Sequence, residues 1–379
     1  MRRLIMGLWA VFVLSLVGAL ALGLWARFEL LTPDTVSEES RLEIAPGTSY
    51  QGALGQLIDA GRLSRREALW LRIEARLVGA PEVKAGEYRL APEQSPYQLR
   101  DLLVGGDVLL HRIQIVEGWT TQQAVAAVRR DPAIVQELTE EDLALNRLMA
   151  ALGLEGESAE GRFKPDTYAF PKGTTDRAFL RRAALAQTAE LERWWSQRAD
   201  DLPLDNPDEL LILASIIEKE TGLSEERFEV AGVFINRLRR GMRLQTDPTV
   251  AYGVAADFSG RLLRKHLDTD TPFNTYTRDG LPPTAICLPG SASLQAAVEP
   301  AVTDKLFFVA RGDGSGGHVF SKTLAEHNAA VQRYREAIRA QRLPPPTPAA
   351  EPAVTPIPDD APVAAPADLP ADTPEADLE

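Results

Sequence analysis

The chain begins with an apolar stretch that is long enough to cross a lipid bilayer. Residues 4–26 contain Ser15 as their one polar side chain, and about 20 apolar residues suffice to span the hydrocarbon core. Two arginines precede the stretch, which predicts a signal anchor with a cytoplasmic N-terminus. A cleaved signal peptide is the alternative, because residues 19–21 are similar to a cleavage site. Cleaved apolar segments are usually about 7–15 residues long, which favours the anchor.

After a polar linker at residues 31–40, strand and helix patterns alternate in a way that is typical of a small mixed domain. The predicted elements of residues 41–117 are strand 41–44, helix 51–60, helix 64–78, a turn followed by a strand within 84–90, helix 97–104 and strand 108–116. Gly61 is expected to end the first helix, because glycine takes the left-handed conformation without strain. Ser64 is expected to cap the second helix.

Longer helical patterns follow, and we interpret residues 118–342 as a second, larger domain. Thr139 is a candidate cap for a helix over 140–152, and a long helix is predicted over 176–198. Residues 306–310 and 318–321 predict a hairpin around a glycine-rich turn.

The C-terminal segment, residues 343–379, differs in composition from the rest of the chain. It holds eleven of the 27 prolines and eight acidic residues without a basic one. Such a segment buries too little apolar surface to offset its ordering entropy, so a disordered tail is predicted. The expected fold class is therefore α+β, with one transmembrane helix, a small mixed domain, a larger α+β domain and this tail.

The most apolar helix of the larger domain ends in a carboxylate. Asn206 suits its N-cap, and residues 211–217 are apolar except for Ser215, which predicts a helix at the centre of its domain. Glu218 follows in the last turn, where burial would raise the carboxyl pKa and allow general acid catalysis. Alternatively, Glu218 and its charged neighbours simply solvate the helix end. Glu220 points elsewhere and is the weaker candidate.

Two polar loops supply further candidate binding residues. Gln245 and Asp247 lie in one loop, and Asn274 and Tyr276 lie in another that is dense in turn-forming residues. Loops of this kind often carry sites, and amide and aromatic side chains suit sugar recognition. Asp247 has a structural alternative as the N-cap of a helix that begins with Pro248, and Tyr276 has one in ordinary packing.

Charge and cysteine content exclude several classes of function. The net charge is −13 and no basic stripe is present, which argues against nucleic acid as a partner. Cys287 is the one cysteine, and the four histidines have no ligand spacing. The sequence therefore predicts neither a metal centre nor another cofactor.

Several ordered motifs over residues 4–340 resemble the endolytic murein transglycosylase family, which is also called MltG or YceG-like. The matching stretches are Glu160-Gly161, residues 165–168, 214–220, 233–238, 242–252, 274–276, 280–283, 317–320 and 326–328. The chain departs from the family pattern at residues 162–164, where the family is usually more apolar, and in the acidic tail.

The resemblance implies a single-pass protein of the cell inner membrane with a LysM-like domain at residues 41–117 and a periplasmic catalytic domain at 118–342. Its expected substrate is the glycan strand of peptidoglycan, cleaved between N-acetylmuramic acid and N-acetylglucosamine to leave a 1,6-anhydro end. The family's catalytic glutamate falls on Glu218. Cell-wall synthases such as penicillin-binding proteins are candidate partners. An inactive scaffold remains open, as does a hydrolase that uses Glu220 or Asp247 as a second carboxylate.

Overall fold

A computed structural model describes residues 2–154, 158–255 and 260–341. Helix α1 (Arg2–Leu31) contains the predicted apolar stretch, and its part Ile5–Leu31 is long and apolar enough to cross a membrane. It is therefore compatible with a single-pass anchor, although a signal sequence meets the same criterion. The predicted tail at residues 343–379 lies outside the described residues.

The first unit after α1 has its own core. Its elements are β1 (Ser40–Ile44), α2 (Tyr50–Asp59), α3 (Arg65–Val78), β2 (Gly86–Leu90) and α4 (Pro96–Gly105). The two strands pair antiparallel, from Ser40 opposite Leu90 to Ile44 opposite Gly86. Ser64 caps α3 as predicted, because its hydroxyl accepts from the backbone N–H of Glu67.

The larger unit contains the remaining elements. They are β3 (Leu110–Ile115), α5 (Thr121–Arg130), β4 (Ile134–Val135), α6 (Leu148–Ala151), β5 (Asp166–Pro171), β6 (Thr174–Thr175), α7 (Asp176–Ser196), α8 (Pro207–Glu220), α9 (Arg227–Arg239), α10 (Asp247–Gly253), α11 (Arg264–Asp268), α12 (Ser291–Val298), β7 (Phe307–Ala310), β8 (His318–Ser321) and α13 (Leu324–Gln341). Helices and strands thus occur in both units, which confirms the α+β class.

Strand β3 joins the two units. The sequence analysis assigned it to the first domain, yet β3 pairs antiparallel with β5, from Leu110 opposite Pro171 to Ile115 opposite Asp166. Its side chains Ile113 and Ile115 are buried in a core of the larger unit. The predicted domain boundary at residue 117 remains a prediction, but the hydrogen bonds of β3 belong to the larger unit.

The helix predicted over 140–152 is wrong for most of its length. Only Leu148–Ala151 is helical, as α6. Upstream, the Thr139 hydroxyl accepts from the Asp142 backbone N–H at 3.2 Å, and the Asp142 carboxylate accepts from the Thr139 backbone N–H at 3.0 Å. Short polar side chains that bond nearby backbone groups favour turns over a continuous helix. The hairpin predicted at residues 306–321 is confirmed by the antiparallel pair β7–β8.

Helix α8 lies at the centre of the larger unit. It contacts α7, α9, α10 and α12, and all its residues from Leu210 to Ile217 are buried. Asn206 caps it as predicted, because its side-chain oxygen accepts from the Glu209 backbone N–H at 3.0 Å. The helix ends at Glu220, and Thr221 is its C-cap. The acidic last turn is therefore held by a rigid, buried element.

The one polar side chain within this buried run has a structural role. The Ser215 hydroxyl donates to the Ile212 carbonyl oxygen at 2.7 Å and accepts from the Ile286 backbone N–H at 3.0 Å. The loop before α12 is thereby attached to α8, and this same loop supplies a partner for Glu218.

Candidate active site

Glu218 is held in a fixed position at the junction of α8 and α12. Its Oε2 atom accepts from the Gly290 backbone N–H at 3.0 Å and from the Ser293 hydroxyl at 2.7 Å. Gly290 is the N-cap of α12, so the carboxylate lies at the positive end of that helix. The side chain is only 7% exposed. These two donors define the orientation of the carboxyl group.

The second oxygen of Glu218 faces a cation. Its Oε1 atom lies 3.7 Å from Nη2 of Arg227, the first residue of α9. The Nε atom of Arg227 is buried and has no hydrogen-bond partner among the described residues. The guanidinium therefore retains an unused donor close to the carboxylate, as a site that binds a polar ligand requires.

A second carboxylate, Glu117, lies against the same glycine. A Cβ atom added to Gly290 would overlap the Glu117 carboxyl group, so only glycine permits this approach. Burial raises the pKa of Glu117, and the negative charge of Glu218 raises it further, whereas Arg227 lowers it. Glu117 and Glu218 thus interact electrostatically across Gly290.

The segment that carries Glu117 is fixed to the elements around Glu218. The Gly118 backbone N–H donates to the Leu288 carbonyl oxygen at 2.9 Å, and the Leu288 N–H donates to the Trp119 carbonyl oxygen at 2.7 Å. The Lys219 ammonium donates to the Gly118 carbonyl oxygen at 3.2 Å. We call Glu117, Glu218, Arg227, Gly290 and Ser293 the Glu218 cluster.

Sequence analysis missed three of the polar side chains in this cluster, namely Glu117, Arg227 and Ser293. One signal was available for Glu117, because it lies in the loop after β3 and functional residues are frequent in loops. Arg227 and Ser293 carried no comparable signal. Ser293 reaches Glu218 only because α8 and α12 pack against each other across 75 residues of sequence.

Glu220 lies in a different environment from Glu218. It accepts a hydrogen bond from the Thr246 hydroxyl and is partly buried. Burial raises the pKa of Glu220 to about 7, the Thr246 hydrogen bond and Arg237 oppose this shift, and the nearby charge of Asp247 adds to it. Glu220 is thus an acid that titrates near neutral pH.

The other predicted binding residues gather on the Glu220 side. The Tyr276 hydroxyl donates to Asp247 Oδ1 at 2.6 Å, and the Gln245 backbone N–H donates to the Thr275 carbonyl oxygen at 3.1 Å. Gln245 is exposed and has a φ of 51°, a left-handed conformation that is uncommon outside glycine. We call Glu220, Arg237, Gln245, Asp247 and Tyr276, together with Thr246, the Glu220 cluster.

One expectation for these loops needs correction, and the surroundings of Asn274 differ from those of an open binding loop. The N-cap of α10 is Thr246 and makes no side-chain capping bond, so Asp247 does not cap the helix as its structural alternative proposed. Asn274 is fully buried, and its amide nitrogen donates to the carbonyl oxygens of Leu267 and Thr269 at 3.0 and 2.7 Å. Its amide group holds the loop together and offers little to a ligand.

Other polar residues of the matching motifs also have structural partners. Buried Glu160 accepts from the Thr121 backbone N–H at 2.8 Å and from the Tyr252 hydroxyl at 3.0 Å. At the departure from the family pattern, Arg162 pairs with Asp208 at 2.7 Å, and Lys164 pairs with Glu190 at 3.3 Å. Phe163 between them is buried. The charged side chains of this segment therefore form ion pairs within the protein. Their presence does not require a substrate cleft at this position.

Metal ligation is not indicated by the part of the chain that the structure describes. Within it, no group of three or more His, Cys, Asp or Glu side chains is arranged to hold a metal ion. The Glu218 cluster contains an oriented carboxylate, a second acid and a cation. This combination suits proton transfer.

The sequence model of the YceG-like family matches residues 42–333. The chain belongs to this family. The matched residues include the Glu218 cluster and the Glu220 cluster. The match confirms the resemblance drawn from the motifs.

Individual relatives cover less of this YceG-like chain. An endolytic murein transglycosylase of Bacillus subtilis (strain 168) is 40% identical over 176 residues, which are 46% of this chain and 48% of that protein. One from Streptococcus pneumoniae (serotype 2, strain D39) is 28% identical over 285 residues, or 65% of this chain and 51% of that protein. The chain thus spans about half the length of these relatives.

A solved structure is also similar. The crystal structure of a yceG-like protein from Listeria monocytogenes aligns with 77% of this chain and 99% of its own, at 28% identity and a TM-score of 0.49.

Proposed function

We propose that this YceG-like chain is a membrane-anchored endolytic transglycosylase of peptidoglycan. The relatives that carry the name endolytic murein transglycosylase support this proposal. The bond cleaved would be the β-1,4 linkage between N-acetylmuramic acid and N-acetylglucosamine within a glycan strand. Such cleavage would terminate nascent strands near the membrane.

Glu218 is the proposed acid and base. In its protonated form it donates to the glycosidic oxygen as the bond from that oxygen to C1 breaks. The resulting carboxylate then takes the proton of the muramyl 6-hydroxyl, whose oxygen bonds to C1 and closes the 1,6-anhydro ring. One oriented carboxylate serves both steps, and no water is consumed. The observation that carries this assignment is the double hydrogen bond from Gly290 and Ser293 to Glu218 Oε2.

A hydrolysing muramidase is the second candidate, and the position of Glu117 favours it. Hydrolysing glycosidases use two carboxylates on either side of the scissile bond. Glu117 would be the second carboxylate, in place of the Glu220 or Asp247 expected from sequence. The two reactions differ in their products, because water attack leaves a reducing end where transglycosylation leaves an anhydro end.

The same proposal includes the location and the other parts of the chain. Helix α1 would anchor the protein in the inner membrane with its N-terminus in the cytoplasm and both units in the periplasm. The β1–α2–α3–β2 order supports a LysM-like, glycan-binding first unit. Penicillin-binding proteins are proposed partners, since a strand cutter and a strand synthase would act on one product at one membrane face.

Mass spectrometry of digested peptidoglycan tests this function. The full chain in detergent is compared with Glu218→Gln and with the exposed control Glu225→Gln. We expect anhydro ends from the parent and the control, and at least a roughly 10³-fold loss in Glu218→Gln, as for removal of a general acid. Reducing ends would establish the hydrolase instead. A parent that yields no products would favour an inactive scaffold, and an active Glu218→Gln would refute the assignment.

A further inference from the structure

Helix α3 carries an apolar ridge that faces outward from the first unit. Leu69, Ile73 and Leu77 are spaced four residues apart, so they lie along one side of the helix. Their exposed fractions are 51%, 40% and 82%, and that of Val78 is 79%. The opposite side contributes Ala68 and other side chains to the core. A ridge of large apolar residues on a soluble surface indicates a binding partner.

Basic side chains accompany the ridge. Arg65, Arg72 and Arg76 are exposed on the same side of α3, and none of the three forms an ion pair with a described residue. The chain as a whole carries a net charge of −13. A locally positive, apolar surface on an acidic protein is complementary to a partner that combines negative charge with hydrocarbon.

Contacts with α1 establish where this ridge lies. Arg66 pairs with Glu29 at 2.5 Å, its guanidinium lies 5.2 Å from the Trp25 ring centroid, and the Trp70 ring meets the Trp25 ring edge-on at 6.1 Å. Arg66 and Trp70 in the first half of α3 therefore contact the last turns of α1, at the C-terminal end of its apolar span. Helix α3 and its exposed ridge are attached where α1 ends.

The junction between α1 and the first unit is packed rather than loose. Leu30 is buried in the core of the first unit, and Ala26 is buried as well. The orientation of α3 relative to α1 is consequently fixed by side-chain contacts. Once α1 crosses a bilayer, α3 is carried to the surface of that bilayer.

We propose that the α3 ridge docks on the anionic phospholipid surface of the membrane that α1 crosses. The proposal rests on the anchorage proposed above. Apolar side chains of interfacial helices enter about 5–10 Å into the boundary between headgroups and acyl chains, and arginines gain from anionic headgroups. Trp25 lies near the C-terminal end of the candidate span and contacts Trp70, and tryptophan is enriched at membrane–water interfaces. The first unit is thereby held against the membrane instead of pivoting on α1.

Site-specific fluorescence in vesicles tests the docking. Leu77→Cys in the full chain is labelled with a nitrobenzoxadiazole probe, and the native thiol of Cys287 is buried and so protected. The protein is reconstituted into vesicles of phosphatidylethanolamine and phosphatidylglycerol that contain nitroxide lipids. We expect at least roughly twofold quenching by shallow nitroxides at residue 77. Labelled Leu185→Cys on α7 should show none, and labelled Val11→Cys in α1 should be quenched by deep nitroxides.

The controls separate failure of docking from failure of the anchor. Quenching at residue 11 with none at residue 77 would overturn docking and leave the anchor intact, whereas quenching at neither residue would overturn both. Peptidoglycan digestion by the same samples reports separately on the proposed enzyme.

The charge component has its own test. In the Leu77→Cys background, Arg72→Glu with Arg76→Glu should lower the quenching at least about twofold, while Arg181→Glu on α7 should leave it unchanged. Equal quenching in the double variant would refute an anionic lipid as the partner.

Discussion

Two carboxylates in the last turn of α8 lie in contrasting surroundings. Glu218 receives hydrogen bonds from Gly290 and Ser293 and neighbours an arginine and a second acid. Glu220 has one hydroxyl partner, and its burial raises its pKa to about 7. Positions two apart on a helix point to nearly opposite sides. The two acids therefore belong to different clusters in spite of their proximity in sequence.

A perturbed pKa and a fixed orientation are two properties expected of a catalytic acid. A perturbed pKa marks candidate functional residues, and burial raises that of Glu220. Orientation by fixed donors selects Glu218, since proton transfer requires a carboxyl group held within hydrogen-bond reach of the substrate. We therefore propose, from its orientation, that Glu218 carries the chemistry.

Among changes to the residues around Glu218, the largest effect on turnover is expected from Ser293→Ala. The change removes the 2.7 Å hydrogen bond to Glu218 and leaves the carboxylate with the Gly290 donor alone. Hydrogen bonds to charged groups contribute about 1.5–3 kcal/mol, so turnover should fall roughly 10- to 100-fold. The measurement is the rate of release of anhydro-muropeptides.

Ser291→Ala is the matched control for this variant. Ser291 lies in the same first turn of α12, but its hydroxyl donates to Glu190 instead of Glu218. Its loss should leave turnover nearly unchanged. Full activity of a folded Ser293→Ala would mean that orientation of Glu218 does not limit the reaction.

A smaller effect is expected from Glu117→Gln. A carboxylate beside Glu218 would stabilise the positive charge that develops on the sugar in an oxocarbenium-like transition state. Removing its charge should lower kcat roughly tenfold while the product keeps its anhydro end. Glu299→Gln, at the exposed C-terminal end of α12, is the control. A loss as large as that of Glu218→Gln would instead indicate the two-carboxylate hydrolase.

Electrostatic coupling gives a second readout for Glu117. The negative charge of Glu218 contributes to the raised pKa of Glu117. In Glu218→Gln that contribution disappears, so the pKa of Glu117 should fall, as measured by carbon-13 NMR titration of the side-chain carboxyl. An unchanged titration would show that the two acids do not interact.

The sequence predicted the helix that carries Glu218 better than it predicted the residues that surround Glu218. Asn206, the apolar run of α8 and the acidic last turn are local features, so periodicity and capping rules identified them. The partners of Glu218 come from residues 117, 227, 290 and 293, which only tertiary packing brings together. Asn274, which the sequence predicts as a binding residue, is buried and bonds to its own backbone neighbours, and these contacts also form only in the folded loop.

Glu220→Gln should have the smallest effect on turnover, less than about threefold, and a distinct effect on stability. Because burial raises the pKa of Glu220 to about 7 from its usual 4.5, the folded state retains a proton that the unfolded state has released. Stability therefore falls as the pH rises from about 4.5 to 7 and does not recover above that range. Glutamine still accepts from Thr246 but cannot ionise, so this part of the decline should disappear.

Thermal unfolding between pH 4 and 8 measures this difference. Above pH 7 the Glu220→Gln protein should exceed its parent in unfolding free energy by on the order of 3 kcal/mol, since the pKa rises from 4.5 to about 7 and one pKa unit corresponds to about 1.4 kcal/mol. Glu225→Gln is the control, because Glu225 is exposed. Its unfolding free energy should equal that of the parent at every pH. If Glu220→Gln lost turnover as completely as Glu218→Gln, the raised pKa rather than the fixed orientation would identify the acid, and the roles of the two clusters would have to be exchanged.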